Sequence, residues 1–130
     1  MTTVTPFLMF DGRAEEAITR YVALIPDSRV VTIERYGADG PGPEGTVSRG
    51  EAVLSGLPVR FFDSFVHHEF TFTPALSLFV TVDSPDDVDR IAGALAAGGG
   101  YLMPAGEYGF SRRFAWVNDE FGVSWQINAE

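Results

Sequence analysis

The chain's only two histidines, His67 and His68, are adjacent and are followed by Glu69. Neighbouring residues of an extended strand point to opposite faces, so His67 could share an ion with Glu69 but not easily with His68. Two interpretations stay open. The segment is an exposed connecting loop, which we favour, or His68 serves a site as a general base or hydrogen-bond partner.

A second local group is basic. Arg112 and Arg113 lie beside Tyr108 and Phe110 on a chain that is otherwise acidic. The pair could receive an anionic ligand. A solvated loop, or an ion pair with one of the many carboxylates, is the more ordinary interpretation.

Aromatic residues recur in the predicted strands. Phe114 and Trp116 share one face of a strand, and together with Phe7, Phe62 and Phe79 they could line an aromatic pocket. For any single one of them, ordinary core packing is the interpretation we favour. The cluster is therefore a better indication of a binding site than any single member.

Missing residue types exclude several kinds of chemistry. The chain has no Cys, which excludes disulfides, thiolate metal sites and a cysteine nucleophile. All nine basic residues are Arg, so no lysine can form a Schiff base. Asp and Glu total 18 and the formal charge is −9, which disfavours nucleic acid and anionic membranes as partners.

The composition is that of an ordered globular domain. Hydrophobic residues make up 45% of the 130 residues, and eleven are Phe. No apolar stretch approaches the roughly 18 residues of a membrane span, and the first residues lack the pattern of a signal peptide. We expect one domain, residues 1–130, in the cytoplasm.

The first half predicts one helix and four strands. An apolar strand over Val4–Phe10 precedes a helix that Asp11 could cap and that ends at Pro26-Asp27. Three antiparallel strands follow, over Arg29–Tyr36, Thr46–Leu54 and, after a Ser55-Gly56 turn, Leu57–Phe62.

The second half repeats this order at an offset of about 71 or 72 residues. The strand Leu76–Val82 precedes a helix with Ser84 as its cap, Pro85 at the first position and Gly98-Gly99-Gly100 as its stop. The remaining strands fall at Tyr101–Met103, Arg113–Val117 and Val123–Asn128, and the last two flank a hairpin-like connection. We therefore predict an α+β fold of tandem β-α-β-β-β units, 1–65 and 75–130, with mostly antiparallel curved sheets. The helix of such a unit covers one face of its sheet, so the other face must meet another layer or border a cavity.

Several segments carry a family resemblance. They are Thr5–Gly12 with Ala14–Ala17, Arg35–Gly37 with Gly40–Pro43, Phe70–Leu78, Tyr108–Ser111 and Asp119–Gln126. Together they resemble the PhnB-like family, also labelled the 3-demethylubiquinone-9 3-methyltransferase domain, of the vicinal oxygen chelate superfamily. That superfamily includes glyoxalase I, extradiol dioxygenases and bleomycin-resistance proteins, and the resemblance implies the glyoxalase/bleomycin-resistance fold.

The resemblance also implies where a site would lie. Superfamily enzymes generally hold a divalent cation with His, Glu or Gln side chains, and those positions fall here near Thr5, near Phe62 or Asp63, at Ser77 and at Gln126. Both histidine positions are lost, and neutral hydroxyls are weak ligands for a divalent cation. We therefore expect no intact metal site, with Gln126 as a hydrogen-bonding group for a ligand and Trp125, its neighbour in the strand, in the core.

The methyltransferase label finds little support in the residues. The common methyltransferases bind S-adenosylmethionine at a glycine-rich turn after the first strand of a parallel sheet. Here the first strand leads into Asp11-Gly12-Arg13, and the predicted sheets are largely antiparallel.

The leading hypothesis is a bacterial protein that binds a small molecule in a cavity and forms a homodimer, without a cofactor. Its candidate ligand-binding residues are Thr5, Phe7, Phe62, His68, Ser77, Phe79, Trp116 and Gln126. The alternative is a metal-dependent lyase, isomerase or dioxygenase that acts on vicinal oxygens. A third class, a structural or regulatory partner protein, predicts a filled interior.

Overall fold

A computed structural model describes all residues, 1–130. The chain divides into two compact units, Met1–Glu69 and Phe70–Glu130. No helix is long and apolar enough to cross a membrane.

Each unit contains one helix and four strands. The elements of the first unit are β1 (Phe7–Phe10), α1 (Ala14–Leu24), β2 (Arg29–Arg35), β3 (Val47–Leu54) and β4 (Leu57–Asp63). Those of the second are β5 (Ser77–Val82), α2 (Pro85–Ala96), β6 (Gly100–Gly106), β7 (Arg113–Asn118) and β8 (Ser124–Ala129).

The two sheets have the same topology. Their strand orders are β1-β4-β3-β2 and β5-β8-β7-β6. In each sheet the first and last strands pair in parallel and the other two pairs are antiparallel. The predicted tandem β-α-β-β-β fold is therefore confirmed, and both sheets remain open.

One face of each sheet is covered by its helix. In the second unit Val88, Ile91, Ala92 and Leu95 of α2 are fully buried, as the helical spacing predicts. On β8 the alternate residues Trp125, Ile127 and Ala129 are also buried, with at most 2% exposure. The intervening residues of β8 belong to the opposite face, which no helix covers.

The structure confirms two features that the local sequence predicted, the cap of α2 and the turn between β3 and β4. Ser84 caps α2, because its Oγ accepts a hydrogen bond from the backbone N–H of Asp87 at 3.3 Å. The β3–β4 hairpin turns at Ser55 and Gly56, whose φ angles of 47° and 90° are those of a tight two-residue turn.

Two predictions about the first strand and helix were wrong. Asp11 does not cap α1. The buried carboxylate of Asp63 does so instead, since its Oδ1 accepts from Gly12 N at 2.8 Å and from Ala14 N at 2.9 Å. The first strand starts at Phe7 rather than Val4, after Pro6, which has no N–H to give to a ladder.

Candidate functional site

A chain of hydrogen bonds crosses three strands on the helix-free face of the second sheet. The indole Nε1 of Trp116 donates to Ser124 Oγ at 2.8 Å, and Ser124 Oγ lies 2.7 Å from Ser77 Oγ. Gln126 Nε2 also donates to Ser77 Oγ, at 3.3 Å. The register produces this arrangement, because Ser77 lies opposite Ser124 and Trp116 lies opposite Gln126. We call these four residues the polar chain.

The proton positions in the polar chain follow from burial. Ser124 is 1% exposed, so its hydroxyl needs a protein acceptor, and its only other partner, Trp116, is a donor. Ser124 therefore donates to Ser77. The Ser77 oxygen then accepts from both Ser124 and Gln126, which occupies its two lone pairs. The O–H of Ser77 and the Oε1 of Gln126 remain to bind a further molecule.

An exposed aromatic ring borders this polar surface. Phe79 lies opposite Gln126 and is 58% exposed. Trp116 is half-buried on the other side of Gln126. The sheet face therefore combines two aromatic rings with a fixed donor and a fixed acceptor, which is the usual composition of a small-molecule site.

The first unit brings a different set of candidates together. Phe7 and Phe62 stack with their ring centroids 4.9 Å apart, and Phe7 is 63% exposed. Thr5 lines a neighbouring groove of about 570 Å³, whose wall includes the ion pair of Arg60 with Glu51 at 3.4 Å.

His68 lies in the loop between β4 and β5. Its Nε2 is 3.2 Å from Ser64 Oγ, and the side chain is half-buried. His68 therefore lies in a connecting loop, as one of the two interpretations expected. Its role in ligand binding stays a prediction. His67 and Glu69 do approach each other, at 3.6 Å, and both are largely exposed.

The candidates thus form two groups. Ser77, Phe79, Trp116 and Gln126 lie together in the second unit, whereas Phe7 and Phe62 form a pair in the first. The convergence of Thr5 with Ser77 and Gln126 stays a prediction.

The residues at the implied metal positions do not fit a divalent cation. Asp63 would be the one carboxylate, yet it is 2% exposed and its two oxygens accept from the backbone of Gly12, Ala14 and Val47. The lone pairs of Ser77 are occupied within the polar chain, as argued above. No group of three or more His, Cys, Asp or Glu side chains is arranged to hold a metal ion.

The basic pair is already engaged. Arg112 donates to the carbonyl oxygens of Glu130 and, at 2.6 Å, of Asp83, and Arg113 donates to Asp89 at 2.7 Å. These contacts support the ion-pair interpretation rather than an anion site.

Two residues of this face were missed in the sequence. Ser124 is the centre of the polar chain, and Asn128 is buried two positions beyond Gln126. The signal was present: Ser124, Gln126 and Asn128 alternate with Trp125, Ile127 and Ala129, which marks a polar face on a half-apolar strand.

Two solved structures with low sequence identity share the fold of this chain. Its fold is that of a glyoxylase/bleomycin resistance/dioxygenase domain from Frankia, with 20% identity, a TM-score of 0.65 and 99% and 97% of the two chains covered. The fosfomycin resistance protein FosX of Listeria monocytogenes, solved with Mn(II) and a dihydroxypropylphosphonic acid, is similar at 12% identity and TM-score 0.65, with 100% and 94% covered. The chain therefore has the glyoxalase/bleomycin-resistance fold.

The particular family follows from closer matches. The family described as 3-demethylubiquinone-9 3-methyltransferase matches residues 2–128, and the chain belongs to it. The PhnB protein of Bacillus cereus is 46% identical, with a TM-score of 0.96 and 99% and 100% of the two chains covered. The predicted PhnB-like membership is confirmed. No match was found among proteins with curated functions.

The word methyltransferase in that description is a family name. In this structure β1 leads into Asp11-Gly12-Arg13 without a glycine-rich loop, and each sheet has only one parallel pair. The geometry of a common S-adenosylmethionine site is therefore absent.

Proposed function

We propose that this protein binds a small, partly aromatic molecule on the helix-free face of the second unit. The observation that carries this proposal is the polar chain beside Phe79. A ring that is 58% exposed is placed next to a hydroxyl and a carboxamide whose orientations are fixed by hydrogen bonds. Preorganised donors and acceptors beside apolar surface favour ligand binding because little ordering remains to be done when the ligand arrives.

The proposal is tested by a thermal-shift screen with small aromatic, quinone and antibiotic-like compounds. A ligand at 100 times its Kd stabilises the folded state by about 2.7 kcal/mol, which raises the midpoint measurably. We expect Phe79→Ala to remove most of the shift, because it deletes the exposed ring.

The matched control is Phe65→Ala, the same change at a residue of the first unit that is 53% exposed. This variant should keep the ligand-induced shift. A panel that leaves the midpoint of the wild-type protein unchanged, or a shift that Phe79→Ala retains, would argue against the proposed site.

We further propose a homodimer. The strands β1, β2, β5 and β6 are sheet edges, and exposed apolar residues on β2 and β6 include Val30, Val31, Tyr101 and Leu102. Open edges with apolar side chains favour association with a second copy. Sedimentation at micromolar concentration should give a dimer, and a purely monomeric profile would contradict this part.

A cytoplasmic location completes the proposal. Cell fractionation with a tagged protein tests it directly, and recovery in the periplasmic or membrane fraction would refute it.

A further inference from the structure

The polar chain leaves one acceptor open on the sheet face. The Oε1 of Gln126 has no hydrogen-bond partner in the protein, and unlike the Oδ1 atoms of Asn118 and Asn128 it is not sealed in the interior. The Gln126 side chain as a whole is half-buried. A ligand on this face can therefore donate a hydrogen bond to Gln126 Oε1, whereas the two asparagine oxygens are closed to it.

The same chain of hydrogen bonds leaves one donor. Trp116 donates to Ser124, and Ser124, which is buried, donates to Ser77. Gln126 Nε2 takes the second lone pair of the Ser77 oxygen. The hydroxyl hydrogen of Ser77 then has no acceptor in the protein. Because Ser77 is only half-buried, a bound molecule can supply that acceptor.

The free donor and the free acceptor are adjacent. The Nε2 that contacts Ser77 and the free Oε1 belong to one carboxamide, so a single functional group of a ligand can reach both partners. Phe79 lies opposite Gln126 and follows Ser77 by two residues, so its exposed ring leaves the same face of the sheet. An aromatic ring attached to the functional group can therefore stack on Phe79.

Several common head groups satisfy only one of the two partners. A carboxylate carries only acceptors, so one oxygen would accept from Ser77 while the other faced the Gln126 oxygen. An amidinium carries only donors and would leave the Ser77 hydroxyl without an acceptor. A ketone would accept from Ser77 and leave Gln126 Oε1 without a donor.

We infer that the ligand of this site is an aromatic compound whose uncharged head group places a carbonyl oxygen beside an N–H, as a carboxamide or a lactam does. The inference rests on the proposed function. The carbonyl accepts from the Ser77 hydroxyl, the N–H donates to Gln126 Oε1, and the ring lies against Phe79.

Two probes of almost equal shape isolate the N–H. Benzamide and acetophenone share the ring and the carbonyl, and the NH2 of benzamide is replaced by a methyl group in acetophenone. Titrations of the 15N-labelled full chain, followed at the indole N–H of Trp116, give a Kd for each probe. The ratio of the two Kd values is compared between the wild type and Gln126→Met, so that the different hydration of the free probes cancels.

We expect Gln126→Met, which keeps the length of the side chain and removes Oε1, to weaken benzamide about tenfold and to leave acetophenone nearly unchanged. A tenfold change corresponds to about 1.4 kcal/mol, near the net value of one hydrogen bond. Ser77→Ala should weaken both probes alike, because both carbonyls lose the same hydroxyl. Thr19→Val, a change of polar to apolar at an exposed position of α1, is the control and should bind both probes like the wild type. A dispersed amide spectrum shows that each variant is folded.

The outcomes separate the inference from the proposed function. If the ratio of the two Kd values is the same in the wild type and Gln126→Met, the Gln126 oxygen does not accept from the ligand and the inferred head group is wrong, while the aromatic site stands. If Ser77→Ala binds both probes normally, the carbonyl is not held by Ser77, which also overturns the inference. If neither probe shifts Trp116 in the wild type, both the inference and the proposed function fail.

Discussion

Asp63 lies at a possible metal-ligand position, but its carboxylate accepts backbone hydrogen bonds instead. The resemblance placed a possible metal ligand at Phe62 or Asp63, and a buried carboxylate does lie there. Its two oxygens instead accept three backbone N–H groups, from Gly12, Ala14 and Val47, all within 2.9 Å. Asp63 thereby joins the start of α1, the start of β3 and the end of β4.

We expect Asp63→Asn to destabilise the protein by about 2 kcal/mol, because an amide nitrogen would face a backbone donor in a buried position. Urea unfolding measures the change. Asp39→Asn, the same substitution at an exposed loop position, should leave the free energy of unfolding within about 0.5 kcal/mol of the wild type. Equal stability of the two variants would show that Asp63 is not essential to this junction.

A second carboxylate links acid stability to an ion pair. Glu15 accepts two hydrogen bonds from Arg35, at 3.0 and 2.7 Å, and this contact lowers the pKa of Glu15 below its ordinary value. A lowered pKa in the folded state contributes stability above the unfolded pKa, and this contribution is lost as the pH falls through the folded pKa.

We therefore expect Glu15→Gln to lose less stability than the wild type when the pH is lowered from 6 to 3. Because both side chains are exposed, the difference should be small. Thermal unfolding at a series of pH values measures it, and parallel pH profiles for the two proteins would contradict the assignment.

The candidate site could be predicted only in part. Ser77 and Gln126 were found through the family resemblance, and in the structure Gln126 Nε2 lies 3.3 Å from Ser77 Oγ. Ser124 was missed because serine in a strand carries no distinctive signal. Its role depends on the register that pairs it with Ser77, 47 residues earlier, which no local pattern specifies.

At the level of elements, short-range signals predicted more than long-range ones did. The cap at Ser84 and the turn at Ser55-Gly56 depend on residues within a few positions of each other, and both were predicted correctly. The cap of α1 was wrong because the acceptor is Asp63, 49 residues away from the Ala14 N–H that it binds. The sequence around the helix start offers Asp11 as a plausible cap, and nothing in it indicates that Asp63 is the acceptor.

Two glycines provide a test of how the elements pack. Gly50 of β3 lies opposite Phe61, and a Cβ at this position would come within 2.2 Å of the buried Phe61 ring. We expect Gly50→Ala to destabilise the protein by about 1–3 kcal/mol through overpacking.

The matched change at Gly93 should have the opposite sign. Gly93 is an exposed position in α2 with no atom within 4 Å of a new Cβ, so Gly93→Ala should stabilise by about 0.5–1 kcal/mol. Chemical denaturation of both variants gives the comparison. A neutral Gly50→Ala would mean that the Phe61 ring can move aside at no cost.

For the whole molecule, the groups at the implied metal positions predict that the purified protein retains no stoichiometric divalent metal. Protein purified without chelators should contain Zn, Mn, Ni and Fe at less than about a tenth of an equivalent each, because the hydroxyl and amide groups at the implied positions are weak ligands for divalent cations. Elemental analysis checks this, and a stoichiometric metal would revive the lyase, isomerase or dioxygenase alternative.

We also propose that residues 1–130 unfold as one domain. A unit of roughly 60 residues has a marginal core when alone, so we expect a single calorimetric transition rather than two. Two separated transitions would assign independent stability to Met1–Glu69 and Phe70–Glu130.

The position of β8 has a consequence for synthesis of the protein on the ribosome. This strand is the last of its unit in sequence, yet it lies between β5 and β7. Until residues 124–129 have emerged, β5 has no neighbour and one edge of β7 stays unpaired, and unpaired strand edges promote aggregation of a nascent chain. The same strand carries Gln126 and Asn128. A chain that stops before β8 would lack both an interior strand of the sheet and residues of the proposed ligand site. Adding the ligand could therefore not restore the fold of such a chain.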